Sequence, residues 1–151
     1  MNNLNILNKK AIKEILKLIK SQWDSKIEID YAFLQDKLNN IYIAKREFAS
    51  FPLEKIRMHK IGLNIGQIYN NQFIATIEGS QLIGPKAKKN ILKITKHESR
   101  DWLRGENLTS KEKLKGLVLI KHNNDFFGTG KINNKEVINL LPKSRRLKSS
   151  D

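Results

Sequence analysis

The sequence predicts an α+β protein: a small α/β N-terminal unit over residues 1–57, then a mixed β-barrel with a basic C-terminal tail over 58–151. Three observations carry this expectation. A long apolar pattern of helical period occurs near the start of the chain. After Arg57 the texture changes to short apolar runs separated by Asn- and Gly-bearing turns. A single well-capped helix, between Thr95 and Gly105, interrupts that strand series.

Taken in order, Ile12, Ile15, Leu16, Ile19 and Trp23 fall three and four apart within 8–23, with Lys9, Lys13, Lys17 and Lys20 on the other side. A basic amphipathic helix can rest on a membrane, or simply pack its apolar stripe on its own domain. Residues 31–34 and 41–44 read as strands joined through Leu38-Asn39-Asn40, and a short helix follows near 45–50, ended by Pro52. Strands at 61–69 and 72–78 flank Asn70-Asn71, residues that tolerate positive φ and suit a hairpin turn. The stretch 79–89 contains Gly84-Pro85, which breaks a regular helix, so it reads as a helical turn or loop. Residues 90–94 form a strand. In Thr95-Lys-His-Glu98 the hydroxyl and the carboxylate can satisfy each other's orphan backbone N–H groups, and Gly105 can take the left-handed φ that ends a helix. Strands at 116–122, 126–132 and 136–141, with turns at 123–124 and 133–134, complete a series whose natural closure is a small barrel.

Charge bounds the function. The 151 residues carry 29 Lys+Arg against 15 Asp+Glu, a net +14 with pI near 10.0. Residues 1–57 hold 11 basic and 7 acidic side chains (net +4), and residues 58–151 hold 18 and 8 (net +10). Such a field favours polyanions: RNA, DNA or an anionic lipid surface. No apolar run approaches a membrane span and no signal-peptide core is visible, so a cytoplasmic protein without a membrane partner is expected.

Catalytic patterns fail on residue type or spacing. With no cysteine there can be no disulfide, thiolate nucleophile or CxxC zinc site. Gly130-Lys131 is followed by Ile132 rather than Ser or Thr, and Asp125 stands where a phosphate loop needs its first glycine. A glycine-bearing sheet position that lets another element approach is the better reading. His59, His97 and His122 form no HxxxH or HxH pair. Glu28 and Asp30 could be paired carboxylates but read more simply as solvated loop charges. No cofactor and no metal are expected.

Four pieces taken in order carry a resemblance: Trp102-Leu-Arg-Gly-Glu-Asn-Leu108, Lys115-Gly-Leu-Val-Leu-Ile120, Phe127-Gly-Thr-Gly-Lys131 and Asn139-Leu-Leu-Pro-Lys-Ser-Arg-Arg146. Residues from about 60 to 147 resemble a PUA domain, the RNA-binding module first recognised in pseudouridine synthases and archaeosine transglycosylases. The likeness is closest to the PUA-like unit of ribosomal-RNA cytosine methyltransferases of the Nol/Nop/Sun type. A small α/β domain before a PUA domain also resembles compact archaeal-type ribosome-biogenesis factors. Methyltransferases of that type attack the base with a cysteine thiolate, which this chain lacks, and no glycine-rich strand–loop–helix motif for S-adenosylmethionine is present. The resemblance therefore implies a non-catalytic RNA-binding part, serving a separate RNA methyltransferase or the pre-ribosomal subunit, with ribosomal RNA ahead of transfer RNA as target.

The basic residues support RNA without the resemblance. Lys96, Arg100 and Arg104 fall four apart, on one helix face over about 12 Å. For the turn at Gly105, the resemblance implies a loop that brings backbone close to RNA. Lys143, Arg145 and Arg146 lie in a segment that is either a solubilising tail or, anchored by Leu141, Pro142 and Leu147, a contact surface. Lys86, Lys88 and Lys89 form a third cluster, and Lys131 follows Gly130. Arginine suits bidentate phosphate contact, whereas lysine mainly supplies field. Of Phe126 and Phe127, adjacent in a strand, one should point away from the core; it could stack on an unpaired base or pack at the barrel end. The rival functions are a protein-binding specificity subunit of a separate methyltransferase and a small-molecule or enzymatic barrel.

Overall fold

The structure, a computed structural model, describes residues 4–47 and 62–148. Within them lie two five-stranded sheets and three α-helices. The first sheet is an antiparallel meander of β1 (Asn5–Ile6), β2 (Ala32–Gln35), β3 (Asn40–Ala44), β4 (Gly62–Tyr69) and β5 (Gln72–Ala75), adjacent in space as in sequence. The β2–β3 turn carries Asn39 at φ 64°, and the β4–β5 turn has Asn70 and Asn71 at φ 49° and 60°. Positive φ at both central residues is what a tight right-twisted hairpin demands, and Asn tolerates it best after Gly.

The second sheet has the order β6 (Ile91–Lys93), β8 (Leu117–His122), β9 (Asp125–Asn133), β10 (Glu136–Asn139), β7 (Leu108–Thr109). It curls into a half-barrel. Only β6 and β8 run parallel, and the crossover between them carries the capped helix, α3 (Lys96–Leu103), and β7. Leu92, Val118, Ile120 and Val137 form an apolar cluster with Trp102 of that helix. The fold expected from sequence, a mixed barrel-like sheet preceded by an α/β segment, is the one observed.

Helix α1 (Lys9–Trp23) begins at Asn8, whose side chain accepts the Ala11 N–H at 2.9 Å, and ends where Asp24 turns left-handed at φ 50°. Its buried residues Ile15, Ile19 and Trp23 enter a core that also contains Phe33, Ile41 and Phe73 of the first sheet and Leu117, Leu119 and Phe126 of the second. The Trp23 indole donates to the Leu117 carbonyl at 3.2 Å. The exposed edge of β5 is also closed by side chains. Gln22 accepts the Phe73 N–H and donates to the Phe73 carbonyl (2.7 and 2.9 Å), and Thr129 of β9 does the same for Ala75 (both 3.0 Å). These bonds satisfy a strand edge that would otherwise present unpaired groups.

Three expectations need comment. The 57/58 boundary, and most of the helix expected at 45–50 with Pro52, lie outside the described residues. Strand β4, assigned from sequence to the second unit, pairs with β3, so the first sheet runs on to Ala75. The strands on either side of the texture change at Arg57 therefore belong to one sheet. The strand expected over 72–78 stops at Ala75, and the stretch expected from 79 as a helical turn or loop is helical and starts earlier, as a second helix, α2 (Ile77–Ile83), followed by a 3-10 turn at Gly84–Lys86. Thr76 caps α2 by accepting the Gly79 N–H at 2.9 Å. Gly79 is required there: a Cβ would lie 1.8 Å from the Ile65 carbonyl oxygen. Among the described residues no helix is long and apolar enough to cross a membrane.

Candidate nucleic-acid interface

The last turn of α3 and the chain's final described segment form one corner. At the start of α3 both halves of the capping box are present: Thr95 Oγ1 accepts the Glu98 N–H (3.1 Å), and Glu98 accepts the Thr95 N–H (2.9 Å). The buried Trp102 anchors the helix, donating its indole N–H to the Phe127 carbonyl at 2.7 Å. Gly130 makes room for it, since a Cβ there would meet Val137 at 2.7 Å and Trp102 at 3.0 Å. The glycine read from sequence as a close-approach position does that work, and its neighbour Lys131 has no phosphate loop around it.

Arg104 occupies the C-cap and Gly105 follows at φ +95°. Against this turn lies the C-terminal segment. The Leu147 N–H donates to the Leu103 carbonyl at 2.7 Å, and the Arg146 side chain lies across Gly105 while its Nε–H donates to the Leu141 carbonyl at 3.1 Å. The segment is therefore docked rather than a loose tail; Lys143 is exposed at the start of its 3-10 turn at Lys143–Arg145, and its carbonyl accepts the Arg146 N–H.

The residue that builds this corner was missed in the sequence. Asn139, 7% exposed, donates to the Trp102 carbonyl (2.7 Å) and the Glu106 carbonyl (3.0 Å) and accepts the Leu141 N–H (2.9 Å). It ties the carbonyl end of α3 to the strand that leads into the basic segment. The available signal was a lone Asn between Ile138 and Leu140 in an apolar run.

Lys96 and Arg100 are exposed on α3, about two turns and one turn before Arg104 respectively. The acids that interrupt them in sequence are engaged elsewhere. Glu98 is consumed by the cap and sits roughly 160° around the helix from Arg100. Asp101 faces His97 at 3.6 Å. Arg145 is not aligned with its neighbours: it makes a two-pronged ion pair with Glu78 in the first turn of α2, one prong at 2.7 Å. The Glu78 hydrogen bond raises the guanidinium's already high pKa. Its charge is spent on docking the segment.

Two further groups lie elsewhere. Lys131 pairs with Leu117 across β8–β9, so it stands on the sheet face opposite Gly130 and Trp102. Lys86, Lys88 and Lys89 surround the end of α1, where the Lys88 and Lys89 N–H groups donate to the Trp23 carbonyl at 2.9 and 3.3 Å. Phe126 is buried in the main core under Lys121, and Phe127 packs half-buried on the Trp102 cluster, so neither stands clear as a stacking platform. Among the described residues, no group of three or more His, Cys, Asp or Glu could hold a metal ion.

The second sheet, curled and mixed with one capped crossover helix, has the architecture of a PUA-like β-barrel domain. Residues 89–147 match the family described as the methyltransferase RsmF PUA domain, a PUA-like domain of Sun/Nop-type rRNA methyltransferases. The match begins just before β6 rather than near residue 60, so it takes in the second sheet and the docked segment and omits β1–β5, α1 and α2. No curated protein matches the chain.

Proposed function

We propose that this chain is a non-catalytic RNA-binding protein acting in ribosomal-RNA maturation or modification, placing a structured RNA for a separate methyltransferase or within the pre-ribosomal subunit in the cytoplasm. The observation that carries the reading is the docking of the C-terminal segment on α3, which lays the Arg146 side chain over Gly105, next in sequence to Arg104, and fixes the exposed Lys143 three residues earlier in the same docked segment. Affinity comes from phosphate contacts by these residues with Lys96 and Arg100, and placement comes from the shape of the helix–turn corner. The match to a methyltransferase RNA-binding domain, in a chain without a cysteine nucleophile, supports a division of labour between binding and chemistry.

Salt titration tests this. Five phosphate contacts give a slope of log K against log salt of roughly −3.5 on single-stranded and −4.5 on duplex RNA. Binding with a slope near zero would reject the reading. Arg100→Glu with Lys143→Glu, both at exposed positions, should weaken binding by about 2–4 kcal/mol. Lys37→Glu with Lys45→Glu, an equal change in net charge on the first sheet, should cost much less.

A further inference from the structure

The region outside the family match holds a second cationic surface, and it is concave. One cleft of 520 Å³ runs along α1 and the 25–28 segment, lined by Lys13, Leu16, Lys17, Lys20, Lys26 and Ile27 among others. A second, of 370 Å³, continues from it, shares Lys20 and Lys26, and adds Lys86 and Lys88 from the turn after α2. The two together present six lysines and two carboxylates, Asp24 and Glu28.

We propose that this groove is a second RNA-backbone site, so that the chain grips one RNA at both ends of α2. The inference rests on the RNA-binding reading above and extends it to the N-terminal half. Three physical points carry it. Cations near the end of a helix can be explained by the helix dipole, which accounts for Lys20, Lys88 and Lys89. It does not account for Lys13 and Lys17, in the body of α1. Those two with Lys20 span about 10 Å of helix, the rise of roughly three nucleotides of a duplex strand. Second, the apolar stripe of α1 is largely covered: Ile15, Ile19 and Trp23 are buried, and Ile12, Leu16 and Leu18 pack partly buried on the same core, with Leu16 also forming part of the cleft wall. A helix whose apolar stripe is largely covered has little to insert between lipids, so the groove suits a nucleic-acid backbone better than a membrane. Third, the two cationic surfaces are joined by a rigid element. Glu78 in the first turn of α2 holds Arg145 of the docked segment, and the helix's far end leads into Gly84–Lys86. Seven helical residues separate them by roughly 10 Å.

Asp24 shows the local field: its carboxyl is held below the ordinary value by its hydrogen bond to Lys20, with Lys88 and Lys89 adding to the effect.

The test uses the full chain and a labelled RNA hairpin with a single-stranded tail of about 30 nucleotides, long enough to reach both surfaces. Three variants are compared, each checked for an unchanged melting temperature. The groove variant carries Lys13→Gln, Lys17→Gln, Lys26→Gln and Lys86→Gln. The corner variant carries Arg100→Gln and Lys143→Gln. The scattered control carries Lys37→Gln, Lys45→Gln, Lys111→Gln and Lys135→Gln. The expected result is a salt slope shallower by about 3 in the groove variant, with affinity at least tenfold weaker than in the scattered control. The corner variant should lose affinity independently of the groove. Wild-type affinity and slope in the groove variant, with loss in the corner variant, would overturn the groove while leaving the corner standing. Equal losses in groove and scattered variants would reduce it to net charge. Failure of the wild-type chain to bind the hairpin would remove both readings. Lysine-dependent binding to phosphatidylserine vesicles, with RNA binding unaffected by the groove substitutions, would assign the groove to a membrane surface.

Discussion

Gly105 is held at φ +95°, and a Cβ there would lie 2.4 Å from Cδ of Arg146. Gly105→Val therefore meets two obstacles: a β-branched residue resists that conformation, and the Arg146 side chain must leave its place over the turn. Backbone strain alone costs roughly 1–3 kcal/mol, so a lowered melting temperature and weaker RNA binding should appear together. Gly105→Ala should show the strain with a smaller displacement. A pH effect belongs to Tyr42. Burial, and then the charge and hydrogen bond of Asp36, raise its pKa above the ordinary value near 10. A raised pKa in the folded state means the unfolded chain releases that proton first. The corresponding stability is complete below pH 10 and is lost as pH rises through the folded-state pKa. Melting curves taken upward from pH 9 should show this decline in the wild type, and Tyr42→Phe should lack that part of it.

Among the elements, the junction of α3, β10 and the basic segment depends on Asn139. Asn139→Leu preserves bulk but removes three side-chain hydrogen bonds and leaves the Trp102 and Glu106 carbonyls without that partner, a loss of about 2–4 kcal/mol. Thermal unfolding measures it. Because the segment bearing Lys143 and Arg146 hangs from this junction, RNA affinity should fall at temperatures where the variant is still folded. Unchanged binding would mean that the segment docks without it. The contrast between Asn139 and α3 shows what could be read in advance. Thr95, Glu98 and Gly105 act through neighbours in sequence, so the helix and its end were legible. The Asn39, Asn70-Asn71, Asn123 and Asn134 turns were legible for the same reason, each now seen at positive φ. Asn139 acts on partners more than 30 residues away, and no local pattern announces that. Helix α2 was legible only as a helical turn or loop, because Gly84-Pro85 breaks a regular helix and the preceding strand pattern runs on to Glu78; Gly79 is there to let the helix lie on the Ile65 carbonyl. Of the candidate site, the segment bearing Lys143 and Arg146 docks at the Arg104–Gly105 turn, while Arg145 is diverted into an ion pair with Glu78, 67 residues away in sequence.

At the scale of the whole molecule, the two sheets share one core rather than standing as separate units. Trp23 is the clearest witness. It is 0% exposed, meets Phe73 of the first sheet edge-on at 6.5 Å between ring centres, and donates to Leu117 of the second. Thr129 adds a reciprocal hydrogen-bonded pair across the same seam. A chain built this way should unfold in one calorimetric transition, with a single-transition fit whose van't Hoff and calorimetric enthalpies agree. Trp23→Ala should lower stability by roughly 3–5 kcal/mol, the range for truncating a buried large aromatic. It should do so for both halves at once, so that tryptophan fluorescence from the remaining Trp102, in the second sheet's cluster, reports the loss although the substitution lies in α1. The fragment 58–151 makes the sharper comparison. Severed from α1, it would expose Leu117, Leu119 and Phe126 to water and leave the β4 edge without β3. At about 1.5–3 kcal/mol for each large apolar side chain left uncovered, it loses as much as a domain of this size ordinarily has to spare. The fragment should therefore show no cooperative melting. Two resolved transitions in the full chain, or a fragment that melts as sharply as the full chain, would instead make the second sheet an independent domain and the seam a mere contact.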